Sequence, residues 1–169
     1  MTRFYVPGST WSDFPVGTTF DVQVEKEHRQ LFPKGQKPTV ETGFEHWKLT
    51  QKKETDAVFQ VSIGTASEEK TLPLAKDAPP AEGSVLGNRG MEIHAQIMRE
   101  VLPTPFGDFY ATRIHVRRFM NEAGGEDDEW RVAGYPIPLK SQNRWMHKEQ
   151  EDSETRTVVR FEAATPGSK

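Results

Sequence analysis

Residues 91–140 read MEIHAQIMREVLPTPFGDFYATRIHVRRFMNEAGGEDDEWRVAGYPIPLK, and this run decides the fold class. At its centre Tyr110, Thr112, Ile114 and Val116 alternate with Ala111, Arg113, His115 and Arg117. Side chains on a strand alternate between the two faces of a sheet, so the pattern sets mostly apolar groups on one face and cations on the other. The segment before it, residues 91–102, supports two readings. Met91, Ile93, Ala95 and Ile97 alternate as a strand would, and with the turn PTPFGD they would complete a long hairpin onto residues 110–120. Ile93, Ile97 and Val101 also recur every four residues, with Met98 and Leu102 extending the stripe, so one short helix over 91–102 is the alternative.

Outward from this run, other segments alternate as strands do. Phe20, Val22 and Val24 share a phase in TFDVQVEK (19–26), as do Trp47 and Leu49 in GFEHWKLTQK (43–52) and Phe59, Val61 and Ile63 in AVFQVSI (57–63). In RTVVRFEA (156–163) Val159 and Phe161 share one phase, opposite Val158. Turn-rich pieces separate these segments: FPKGQKP, EAGGEDDE and KEQEDSE, with the long unpatterned stretch 66–83 expected as a mobile loop. Pro136 and Pro138 cannot donate to a sheet ladder, which places residues 135–140 on an edge strand. The resulting expectation is one mainly β domain over 1–169. It would be an antiparallel curved sheet of about seven or eight strands, forming a barrel, half-barrel or sandwich.

Composition bounds the function. The 169 residues include 34% hydrophobic side chains, with ten Phe and four Trp to build a core, and no cysteine. Thiolate catalysis, disulfides and cysteine-based metal sites are therefore absent. The net charge of −3 gives no global field toward nucleic acid, and none is expected as a partner. No stretch holds the roughly 20 apolar residues that cross a bilayer as a helix, and the start of the chain has no apolar core of an export signal. The expected location is the cytoplasm, with periplasm or cell envelope as the alternative if a signal has been replaced.

The candidate sites are few. Arg113, His115 and Arg117 stand about 6.5–7 Å apart along one strand face, a spacing able to hold a carboxylate or phosphate. The competing and favoured reading is a wet face whose arginines pair with nearby acids. The five histidines are scattered singly, with no HxH or HExxH spacing, so neither a metal nor another cofactor is expected. The acidic run 126–129 reads as a solvated hairpin tip, and no serine stands in a nucleophile setting. Trp47, Phe59, Ile114 and Trp130 are the candidate lining of an apolar cavity, with core packing as the competing reading.

Three functions follow in order of support. The first is a non-catalytic binding or assembly module holding a hydrophobic ligand or a partner chain on its concave face. The second is a structural subunit of a larger phage or envelope assembly. The third is an anion-binding or enzymatic domain built on Arg113, His115 and Arg117.

Overall fold

Strand β6 (Glu92–Thr104) and strand β7 (Gly107–Met120) pair antiparallel along their whole length, with Ala95 opposite Val116 and Ile97 opposite Ile114. The four-residue apolar period over 91–102 therefore builds no helix. A neighbouring strand offers apolar or aromatic partners to Ala95, Ile97 and Val101, which an isolated helix stripe would lack. The Thr104 hydroxyl closes the turn by donating to the Gly107 carbonyl at 2.7 Å. A computed structural model of the chain describes residues 10–75, 82–86 (84–86 as backbone) and 91–167.

The described residues hold ten strands in one antiparallel sheet, rather than the seven or eight expected. The others are β1 (Thr19–Gln30), β2 (Thr39–Lys52), β3 (Asp56–Ile63), β4 (Ala66–Pro73), β5 (Gly83–Leu86), β8 (Ala123–Val132), β9 (Lys140–His147) and β10 (Gln150–Glu162). Their order is β4-β3-β2-β1-β10-β9-β8-β7-β6-β5, so the sheet is neither a closed barrel nor a sandwich. The chain runs outward from β1 to one edge, crosses to the other edge, and returns to pair β10 with β1. That crossing requires curvature. Nine interstrand steps of a flat sheet would separate the edges by roughly 43 Å, at about 4.8 Å per step. The ten residue steps from Pro73 to Gly83 reach at most about 36 Å. The sheet accordingly curls until β6 approaches β10 across its concave side.

Four local expectations are corrected. Residues 66–73 are not loop but strand β4, and Gly83 opens β5, while residues 76–81 lie outside the described set. The acidic run is not a hairpin tip. It lies within β8, where Glu126 faces Arg117 and Asp128 faces His115, and those cross-strand cations draw it into the sheet. The turn is the two residues Asn121 and Glu122 instead, with Asn121 at φ 49, a conformation asparagine tolerates. Residues 135–139 form a loop rather than an edge strand, and Lys140 begins β9 in the interior of the sheet. Finally, Val159 is an extra residue: Asp21 pairs with Arg160 but Val22 with Val158. This bulge lets Val158 and Phe161 both face the core, where strict alternation would divide them.

The core gathers at the end of the sheet where β1 begins and β10 ends. Phe20 and Val22 of β1, Trp47 and Leu49 of β2, and Phe59 and Val61 of β3 form it with Val158. Trp11, in a short 3-10 turn (Trp11–Asp13), plugs this end, anchored by its N–H to the Leu74 carbonyl at 3.0 Å. Its ring lies 4.7 Å from Phe59 and 5.6 Å from Phe20. Tyr135, from the loop after β8, extends the ring packing toward β7, 5.2 Å from Phe161 and 5.6 Å from Phe109.

Candidate functional site

The register assigns each strand's side chains to one of two faces. Ile93, Ala95 and Ile97 of β6 share a face with Ile114, Val116 and Arg118 of β7, Gly125, Asp127 and Glu129 of β8, Ser141, Asn143 and Trp145 of β9, and Asp152, Glu154 and Arg156 of β10. This is the concave face. Above the aromatic core it encloses a hollow of about 680 Å³, into which both Ile93 of β6 and Arg156 of β10 project. A second hollow of about 400 Å³, lined by Lys26, His28 and Asp152 among others, shares Asn143 and Glu154 with it. The two form one trough running across the strands.

The trough has two unlike banks. On β6 and β7, Ile93 packs on the small cluster Ala95, Ile114 and Val116, separate from the main core. From Arg118 near the end of β7 across β8 to β10 and β1 the lining is charged, and opposite charges stand side by side. Arg118 pairs with Asp127, Arg131 with Glu129 at 2.9 Å, Arg156 with Glu154 at 3.2 Å, and Lys26 with Glu154 at 3.8 Å. The Asn143 amide donates to Asp127. Arg156 reaches furthest inward, where it also pairs with Glu45 on the floor between trough and core. Burial alone would raise the Glu45 carboxyl. Hydrogen bonds from Arg156 and from the Trp47 indole at 2.9 Å, with the charges of Arg156 and Lys70, outweigh burial and hold it below its ordinary value.

Of the four residues expected to line one apolar cavity, Trp47, Phe59 and Trp130 belong to one buried core cluster and Ile114 to a second, smaller one. Trp47 and Phe59 lie 5.7 Å apart inside the aromatic core, with Phe59 fully buried. Ile114 lines the concave hollow. Trp130 points to the opposite face, between the cations of Arg113 and Lys140, each 5.0 Å from its ring, while its indole N–H donates to Glu100.

The cation row also stands on that opposite face. Arg113 donates to Asp128 at 2.7 Å, and His115 Nδ1 lies 2.9 Å from the same carboxylate oxygen. The Asp128 hydrogen bond, larger than the opposing effect of burial, raises the Arg113 guanidinium above its ordinary value. Arg117 pairs with Glu126 at 2.9 Å, and Glu126 in turn lies 3.6 Å from Arg144. The Arg144 guanidinium is also raised, chiefly by its hydrogen bond to Glu151 at 3.1 Å. Each donor of the row is thus engaged with a carboxylate of β8, as the pairing reading anticipates. Arg156 and Arg160 stand apart from this row, since β10 lies three strands from β7.

Sequence reading did not single out the trough. Its signal was the mixed-charge composition of β8 and β10, which becomes a bank only when the register lines up Asp127, Asn143 and Glu154. Among the described residues no group of three or more metal-ligating side chains converges, and no helix is long and apolar enough to cross a membrane. Comparison of the chain with family models, with curated proteins and with solved structures gave no match in any of the three, so the site is read from its own geometry.

Proposed function

We propose that the protein is a non-catalytic binding module that works through its concave face. The observation that carries this reading is the 680 Å³ hollow with one apolar and one charge-paired bank. Such a surface suits an amphiphilic occupant, either a partner chain or a ligand with a hydrophobic portion. An apolar group set against Ile93, Ile114 and Val116 gains about 0.8 kcal/mol per buried methylene. The paired charges opposite would meet the occupant's polar part without any ion being left alone in the hollow. A wholly apolar ligand fits less well, because it would strip water from three arginine–carboxylate pairs.

The test is uptake of a fluorescent zwitterionic alkyl probe of eight to twelve carbons by the full chain. Binding should saturate at one probe per chain, and Ile93→Ser should weaken it about ten-fold, as the loss of one apolar contact of about 1.4 kcal/mol implies. No saturable uptake, or equal affinity in Ile93→Ser, would overturn the reading.

A second reading, assembly into a larger structure, is favoured by one observation. Phe32, Phe119, Met120 and Met146 are exposed at the same end of the sheet, beside the β1–β2, β7–β8 and β9–β10 turns. Exposed apolar clusters of this kind mark contact surfaces. Light scattering across a concentration series tests it: self-association abolished by Phe119→Ser with Met146→Ser supports assembly, and a strict monomer at all concentrations counts against self-assembly.

A further inference from the structure

Trp145 stands in a register row that starts at Ile93 of the apolar bank and is polar or aromatic beyond it: Ile93, Arg118, Gly125, Trp145, Asp152, His28 and Thr39, each directly across from the next. The row lies one side-chain step from Asp127, Asn143 and Glu154, about 6.5–7 Å along the strands. Trp145 is 42% exposed, yet it is firmly seated. A Cβ added to Gly125 would come within 2.6 Å of its Cε3 and 2.9 Å of its Cζ3. The six-membered part of the indole therefore rests on bare glycine backbone, a close approach that glycine alone in the sheet permits. The result is a large aromatic surface held from behind and open in front, on the same face as the two hollows and directly across from Asp152 of the second, though it lines neither.

We propose that this polar length of the trough, from Arg118 past Trp145 to His28, binds a linear polyhydroxylated chain, an oligosaccharide, with Trp145 as its stacking surface. The proposal rests on the concave-face reading and names a ligand class for the bank that the apolar contacts leave out.

The chemistry of the lining selects for hydroxyls. Its charges are already matched: Arg118 with Asp127, Lys26 with Glu154, and His28 Nδ1 with Asp152 at 2.5 Å. An ionic ligand would have to displace one of these partners. A hydroxyl is donor and acceptor at once, so neighbouring hydroxyls can bridge a carboxylate lone pair and an unused guanidinium N–H while each pair stays intact. The Asn143 amide adds a donor and an acceptor of the same kind. The C–H face of a pyranose is apolar and matches the open face of an indole. A polar peptide fits less well, because a sheet face offers side chains only. The backbone groups that recognise extended peptides are spent in the ladder.

The experiment uses the full chain on a glycan array, followed by calorimetry with soluble cello-, malto-, xylo- and chito-hexaose and with a polar hexapeptide. At least one oligosaccharide should bind and shift the tryptophan emission. Trp145→Ala should weaken that binding at least ten-fold, and Trp145→Phe less than Trp145→Ala. Gly125→Ala, which keeps the tryptophan but dislodges its ring, should weaken it several-fold with the circular dichroism spectrum unchanged. Equal affinity in Trp145→Ala, binding of the hexapeptide but of no glycan, or no glycan bound at all would overturn the proposal. If the alkyl probe binds and no glycan does, this inference fails while the concave-face reading stands. If a glycan binds and the alkyl probe does not, the amphiphile reading of the concave face fails while this inference stands.

Discussion

Glu45 carries a carboxylate nearly out of water, and its partners decide what that costs. Its oxygen accepts from Trp47 and Arg156, so replacing it with Gln leaves the half-buried Arg156 guanidinium with Glu154 alone. Glu45→Gln should cost about 2–3 kcal/mol at pH 7 by urea unfolding, the lower end for breaking a buried pair because Arg156 keeps a second partner and some water. The pH dependence follows from the depressed carboxyl. Its contribution is fully present above the unfolded value of 4.5 and is lost as pH falls through the lower folded value. The two proteins should converge in stability as pH falls below the unfolded value of 4.5 and through the lower folded one. A gap that persisted undiminished there would contradict the assignment.

Asp128 is the second carboxylate on which a neighbourhood depends, serving Arg113 and His115 through one oxygen. Asp128→Ala should destabilise by about 2–4 kcal/mol, because it takes the nearest carboxylate from two partly buried donors at once and leaves Arg113 only Glu100 at 4.0 Å. Arg117→Ala, at the exposed end of the same row, should cost under about 1 kcal/mol. Thermal unfolding of the two variants checks the ordering. The alternation around Ile114 already announced a cation row opposite an apolar face. The seat of Trp145 was not legible, since Gly125 and Trp145 are 20 positions apart and meet only through the β8–β9 register.

At the scale of the element, the extra residue Val159 is the instructive case. Periodicity alone put Val159 and Phe161 together, and a single bulge gives the core position to Val158 instead. Deleting Val159 would leave Val158 and Phe161 two positions apart, so strict alternation would keep both in the core opposite Val22 and Phe20. Stability by urea unfolding should therefore fall by less than about 1 kcal/mol, and a loss of about 2 kcal/mol or more, the worth of one well-buried apolar side chain, would contradict the assignment of Val159 as the extra residue. β8 teaches the complementary lesson. Its charge density and two glycines resemble a loop, but charges count against a strand only when they lie on a face with nothing to meet them. Here they meet Arg117, His115 and Arg118 on one side and Asn143 and Arg144 on the other.

Across the whole molecule, apolar packing is concentrated at one end of the sheet and paired charge along the rest. Trp11 closes the apolar end, 1% exposed and in ring contact with Phe14, Phe20, Phe59 and Phe161. Trp11→Ala should leave a cavity worth about 3–5 kcal/mol, with a loss of near-ultraviolet circular dichroism from the ring cluster. Amide exchange should map the same gradient. Protection should be highest at residues 20–24, 47–49 and 57–61 and lower toward the β7–β8 and β9–β10 turns, where apolar contacts are few. Uniform protection along β1 would contradict that distribution.

The sequence by itself determined the antiparallel β class, the hairpin of residues 92–120 and the apolar phase of β1 to β3, because a period of two is written directly in side-chain order. It also anticipated that the cation row would find acids. Only the tertiary structure decided the strand order, the open curled sheet and the trough. The crossing from β4 to β5 is governed by where two distant edges can meet within the reach of ten residue steps, which no local period encodes. The trough arises because curvature and register bring Ile93, Asn143 and Arg156 around one hollow, although 63 residues separate the first from the last. Side chains that lie far apart in sequence acquire a common chemistry only when the ladder sets them side by side.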